Sequence, residues 1–236
     1  MDGAQSSMLT DRRLVRRFTA LCFLVYFSSY ITRINFGAVV SEIVASEGIL
    51  KSSASAVITA GFIFYGIGQI FSGFLGDRIA PNRMIFFGLC ATAILNLLIP
   101  FCTRIEQMSV VWSLNGLAQS MLWPPLVRAM SEFLPSEQFS KGCLSGSVAA
   151  AIGTISVYLS APVMILASGW RLVFFVCGCA TLAAAIVWIV GFSRLRKKAG
   201  LERQGSAILV EPPVKTVNSV SRSRFVAASG LVFIVL

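Results

Sequence analysis

Six apolar stretches, each about as long as a bilayer is thick, decide what this chain can fold into. They lie near residues 18–40, 53–75, 84–101, 108–134, 143–167 and 171–193. A helix needs roughly 20 apolar residues to cross about 30 Å of hydrocarbon. In lipid, only a helix satisfies every backbone group of such a segment on its own. The expected fold is therefore an all-α membrane protein with six transmembrane helices. Charged residues make up 13% of the chain, about half the usual share of a soluble domain, which excludes an ordinary soluble fold.

The net charge of +10 raises the question of a nucleic-acid partner, and the placement of the basic residues answers it. Arg12, Arg13, Arg16 and Arg17 precede the first stretch, Arg78 and Arg83 follow the second, Arg128 and Lys141 flank the fourth-to-fifth connection, and eight more follow the sixth. The other connections hold Lys51, Arg104 and Arg171. With Arg33 set aside, sixteen basic residues fall on one side and three on the other. That is the positive-inside asymmetry. It predicts an integral protein of the plasma (inner) membrane with both ends of the six-helix unit cytoplasmic, and the lipid bilayer rather than nucleic acid as partner.

The organisation expected from this pattern is a cytoplasmic amino terminus (1–17), a six-helix bundle (18–193) and a polar cytoplasmic linker (194–224) carrying Arg194, Arg196, Lys197, Lys198 and the pair Pro212-Pro213. The first stretch is too long for a signal-peptide core and is expected to be retained. Residues 225–236 are apolar again, but that length of helix covers only about 18 Å. It reads as the start of a truncated seventh transmembrane helix, with a missing carboxy-terminal half of the same protein as a further partner.

Several chemistries are excluded. Histidine is absent, which removes the commonest general base and metal ligand. The six cysteines form no C-x-x-C pair, so no disulfide framework, metal site or cofactor is expected. No intramembrane carboxylate pair or nucleophile motif points to an enzyme, and no ring-forming selectivity sequence points to a channel.

One charge stands against the apolar background. Arg33 lies within the first stretch, in Tyr30-Ile31-Thr32-Arg33-Ile34-Asn35-Phe36. A guanidinium in hydrocarbon costs about 2.5 to 3.5 kcal/mol on insertion scales and usually faces a bundle interior or a wet cavity. Eight residues separate it from the polar end at Ser41, roughly 12 Å of helix, about twice the reach of an arginine side chain. Two readings follow: an aqueous anion site, or a structural or interfacial arginine. The glycines of the second stretch, Gly61, Gly66, Gly68, Gly73 and Gly76, let helix backbones approach closely, whether in static packing or in helices that slide.

Between the second and third stretches runs Gly73-Phe74-Leu75-Gly76-Asp77-Arg78-Ile79-Ala80-Pro81-Asn82-Arg83. This loop resembles the G-x-L-a-D-R-x-x-x-R/K signature of the major facilitator superfamily. Asp77 at a helix end can accept charge-assisted bonds from Arg78, Arg83 or Arg128 and so tie helices together in one conformation; a solvated loop charge is the plainer alternative. Tyr30-x-x-Arg33-x-Asn35-Phe36, Tyr65-Gly66, and Asn115-Gly116-x-x-Gln119-x-x-x-Trp123-Pro124-Pro125-x-x-Arg128 narrow the likeness. Together they resemble the organophosphate:phosphate antiporters, which include bacterial glycerol-3-phosphate and hexose-6-phosphate transporters. The resemblance runs through Gly169-Trp170-Arg171.

That resemblance implies the amino-terminal half of a twelve-helix transporter, with an anion site between two halves that rock between inward- and outward-open states. Arg33 matches the first-helix arginine that binds substrate phosphate; Tyr30, Tyr65 and Trp123 match aromatic positions around the site. Gln69 stands where glycerol-3-phosphate-type members carry a lysine, and the fifth-span histidine is missing. A phosphate monoester carries about −1.5 to −2 charges, so these losses leave a carboxylate or another organic anion open beside a phosphate ester exchanged for phosphate. On a structural reading, Tyr65 and Gln69 are simply one turn apart. A second functional class is a transport-inactive membrane sensor of a phosphorylated metabolite.

Overall fold

The structure, a computed structural model, describes Leu9, residues 11–76 and residues 78–199. These form helices α1 (Arg12–Glu47), α2 (Lys51–Gly76), α3 (Pro81–Leu98), α4 (Ile105–Ser120), α5 (Trp123–Phe133), α6 (Ser136–Ser168) and α7 (Trp170–Lys198), with a 3-10 turn Ile99–Phe101 closing α3. Asp77, residues 200–224 of the expected linker and the apolar segment 225–236 lie outside the described residues.

The helices overrun the apolar stretches that announce them. At 36 residues, α1 is about 54 Å long at 1.5 Å per residue, well beyond the hydrocarbon. Its ends are set by local chemistry. Asp11 accepts a hydrogen bond from the Arg13 amide at 2.8 Å, an N-cap, and Gly48 closes the helix at φ 64°, the left-handed conformation that favours glycine. Gly169, at φ 77°, is the single residue between α6 and α7.

One expected span is corrected. The stretch 108–134, read as a single helix, is two: α4 and α5 break at Met121 and Leu122. Pro124 and Pro125 are the cause, since neither has an amide hydrogen and each ring clashes with the carbonyl four residues earlier. The chain turns instead through Met121 N–H to Ala118 O and Leu122 N–H to Gln119 O, both at 3.2 Å, before Leu126 N–H resumes the helical pattern to Leu122 O. The pair still makes one crossing. Along α2, Gly61 lies against Trp112 and Gly116, Gly68 against Ser120, and Gly76 accepts a hydrogen bond from Arg128, so α4 and α5 follow α2 in parallel to its end. Five single helices are long and apolar enough to cross a membrane among the described residues, and this broken pair supplies the sixth crossing.

Burial separates inner from outer helices. Within their most apolar windows α1 and α3 are 50% buried and α7 44%, but α2 only 22% and α6 28%. Phe62, Ile67, Phe71 and Phe74 on α2, and Leu144, Ile155, Leu159 and Leu166 on α6, are exposed. Two apolar cores fill the interior. One gathers Phe18, Leu126, Trp188 and Phe192, the other Phe36, Trp112, Trp170 and Phe174. Between them, on α1, sits a polar layer: Ser28, Ser29, Thr32 and Asn35 are all 2% exposed or less.

Candidate functional site

The polar layer is held by side chains that reach α1 from three neighbours. Asn96 on α3 donates to the Thr32 carbonyl at 3.3 Å, the Thr92 carbonyl at 3.0 Å and Asn115 Oδ1 at 3.3 Å, and accepts from Asn35 at 2.8 Å. Asn115 on α4 donates to the same Thr32 carbonyl at 3.1 Å. Gln119, one turn later, donates to the Ser29 carbonyl at 3.1 Å and to Thr32 Oγ1 at 3.0 Å. From α7, Thr181 donates to the Ser28 carbonyl at 3.2 Å. Buried polar groups in an apolar bundle have to find partners, and these fix α1 against α3, α4 and α7 around one residue, Arg33.

Arg33 is partly buried. Its guanidinium carbon lies 4.8 Å from the ring centre of Tyr30 and 4.5 Å from that of Tyr65, within the range of cation–π attraction. Tyr30 comes from the preceding turn of α1 and Tyr65 from α2, so the charge sits between rings of two helices. Nη2 donates to Ser29 Oγ at 3.3 Å and to Gln119 Oε1 at 3.4 Å. Nε is buried without a partner, and no carboxylate pairs with Arg33 among the described residues. A cavity of about 20 Å³ opens beside it, lined by Arg33, Tyr65, Trp112, Asn115 and Gln119 with α2 residues including Gly61. That is room for about one water-sized body. The arrangement provides a fixed cation, an unused donor and aromatic walls, which suits an anion.

Of the residues singled out in the sequence, the structure brings Arg33, Tyr30 and Tyr65 together. Trp123 joins them indirectly, packing on Tyr26 at 4.5 Å, whose ring meets Tyr30 at 5.2 Å. Gln69 is half-buried on α2, does not line the cavity and makes no side-chain hydrogen bond among the described residues. The expected gating cluster is partly visible: Arg78 and Arg83 are exposed, and Arg128 bonds Glu132 at 2.7 Å and the Gly76 carbonyl. Asp77 lies outside the described residues.

Sequence reasoning passed over Ser29, Asn96, Asn115 and Gln119 as parts of the site. A signal was present: Asn115 and Gln119 are four apart, one helical face, and each polar residue in an apolar span needs a partner.

The comparisons with known proteins agree with this architecture. The Major Facilitator Superfamily profile matches residues 22–236. The chain is 27% identical over 191 residues to the membrane sensor protein UhpC of Escherichia coli, covering 78% of this chain and 44% of that protein. It is 25% identical over 199 residues to vesicular glutamate transporter 1 of Xenopus laevis, covering 77% and 34%. It is 29% identical over 165 residues to the glycerol-3-phosphate transporter of Bacillus subtilis, covering 65% and 35%. The chain thus spans less than half the length of these relatives. A crystal structure of the peptide transporter POT (E310Q mutant) with alafosfalin superposes at a TM-score of 0.68 and 16% identity, over 92% of this chain and 45% of that one. That likeness shows the fold alone, shared over somewhat less than half of that chain. The chain belongs to the Major Facilitator Superfamily.

Proposed function

We propose that this chain supplies the amino-terminal half of a secondary transporter for organic anions, one that exchanges a phosphate ester for phosphate by alternating access. A single observation carries the reading: Arg33 is held within the spans by two rings, a hydroxyl and one amide, with a buried donor unused and no carboxylate to neutralise it among the described residues. An intramembrane charge left in this state is a functional site by default. Substrate would neutralise Arg33 from the side of the second half, drawing the halves together, and an empty carrier with an uncompensated charge would reorient poorly, which favours exchange. Tyr30 and Tyr65 flank the guanidinium with Trp123 behind them through Tyr26, and Gln69, one turn past Tyr65, would meet substrate from α2 as the cavity widens. Asp77, Arg78, Arg83 and Arg128 form the latch at the cytoplasmic end, in the plasma membrane orientation given by the basic loops.

The test is exchange by the full-length protein in phosphate-loaded liposomes. Uptake of labelled glycerol 3-phosphate driven by internal phosphate, abolished by Arg33→Ala, supports the proposal. Exchange at the wild-type rate by Arg33→Ala ends it. The similarity to a membrane sensor favours one second reading, a protein that binds such an ester without moving it. Saturable binding with no uptake would select that reading.

A further inference from the structure

We propose that Gln119 is the positioning residue of the Arg33 site, an uncharged anchor that fixes the guanidinium without neutralising it. The inference rests on the anion reading of Arg33 and adds the means by which that arginine is kept both oriented and available.

Gln119 is 1% exposed, as deeply buried as Ser29 and Thr32, each at 0%. Its amide bridges α4 to α1 with both ends in use. Nε2 donates to the Ser29 carbonyl at 3.1 Å and to Thr32 Oγ1 at 3.0 Å, while Oε1 accepts from Ser29 Oγ at 2.6 Å and from Arg33 Nη2 at 3.4 Å. The surroundings determine which end points where. The Thr32 hydroxyl spends its own proton on the Ser28 and Ser29 carbonyls, at 2.9 and 3.2 Å, so it can only accept from Gln119. A flipped amide would set its NH2 against the Arg33 donors and its oxygen against the Ser29 carbonyl, two repulsive contacts in place of attractive ones. The oxygen therefore faces the guanidinium. The backbone adds to this: Gln119 lies on the last turn of α4, and its carbonyl accepts the Leu122 amide at the break before Pro124 and Pro125, so the kink sets the height at which the amide meets α1.

The chemistry of the choice follows. A carboxylate at this point would stand where Oε1 does, within ion-pair distance of Arg33, and in a water-poor site would compete with any incoming anion. An amide of the same shape gives a partial negative end that aligns Nη2 and leaves the unit charge for ligand.

The experiment is a double-mutant cycle on the full-length protein in detergent, comprising wild type, Gln119→Glu, Arg33→Ala and the double variant, each unfolded thermally with and without inorganic phosphate. The ligand-free cycle is expected to couple. Gln119→Glu loses the Nε2 donor to the Ser29 carbonyl and lowers stability in both backgrounds, but by several degrees more in the Arg33→Ala background, where the new carboxylate is buried without a partner. Additive ligand-free effects would overturn the proposal, since the two side chains would then not meet. With phosphate, the wild type is expected to gain stability and Gln119→Glu to need at least about tenfold more phosphate for the same gain. Equal phosphate response in the two would overturn the proposal too. Coupling without any phosphate effect on the wild type would uphold the contact and count against the anion reading instead. If Gln119→Glu does not accumulate in the membrane, Gln119→Met, similar in length but without an acceptor for Nη2, replaces it; a phosphate response weakened severalfold supports the proposal and an unchanged one overturns it.

Discussion

Two arginines of this bundle, Arg33 and Arg171, are built almost alike and compensated in opposite ways. Each lies against indole or phenol rings, Arg33 at 4.8 and 4.5 Å from Tyr30 and Tyr65, Arg171 at 4.3 Å from Trp170. Each ties α1 to a neighbour. Arg171, at the start of α7, meets Glu47 at 2.9 Å and donates through Nε to the Pro100 carbonyl at 3.1 Å, while Trp170 also donates to Glu47. Nε and Nη2 of Arg171 both end on protein, and the result clamps the ends of α1, α3 and α7. Arg33, deeper in the spans, has two long bonds to neutral groups and a bare Nε. Where the chain uses arginine to hold helices, it supplies a carboxylate, even at a site 44% exposed where the charge would be tolerated without one. Where desolvation makes the charge most costly, it supplies none among the described residues. On the proposed anion reading of Arg33, this difference sets a structural arginine apart from a ligand-binding one without reference to any relative.

The largest expected effect breaks the pair apart by function. Arg33→Ala should lower phosphate-driven exchange by at least about a hundredfold, the scale of losing a buried charge-assisted contact, while leaving the protein folded. Arg171→Ala should leave exchange within about threefold and lower the unfolding temperature instead. Tracer exchange and thermal unfolding of both variants decide it; equal losses of exchange would mean that compensation by a carboxylate does not distinguish the two roles.

A second prediction concerns the scaffold under Arg33. Asn96 is fully buried and makes four hydrogen bonds. At roughly 0.6 kcal/mol each, the mean for such bonds in a bilayer, Asn96→Leu should destabilise by about 2 kcal/mol. It should also weaken phosphate binding, because Asn115 and the Thr32 carbonyl lose a partner in the layer that carries Arg33. A stability loss with unchanged phosphate binding would confine Asn96 to packing.

The number of crossings was legible in the sequence because lipid admits so few solutions: apolar length specifies six spans almost alone. The break of the fourth crossing was legible in principle, as Pro124 and Pro125 stand adjacent, but tolerance of proline in membrane helices made an unbroken reading reasonable. The heart of the site was half legible. Arg33 announces itself as a charge among apolar residues, and Tyr30 follows from helical periodicity. Gln119 does not, for its meaning depends on which turn of α4 faces which turn of α1. That register is set by close glycine contacts such as Gly61 with Gly116 and by the kink, and both are tertiary facts.

The smallest effect tests the other arginine. Glu47→Gln removes the charge opposite Arg171 but keeps an acceptor near its guanidinium and the Trp170 indole. The pair is partly exposed, with side-chain exposures of 44% and 26%, so the expected destabilisation is under about 1 kcal/mol. It should shrink further at 1 M salt, where the screening length falls to about 3 Å. Thermal unfolding of wild type and variant at low and high salt reads this directly. A loss that survived high salt would move the clamp's strength from the ion pair to the neutral bonds that Arg171 and Trp170 make. Arg171 would then resemble Arg33 in being held by uncharged groups, and the availability of Arg33 to an anion would have to come from its position beside the cavity rather than from the lack of a carboxylate.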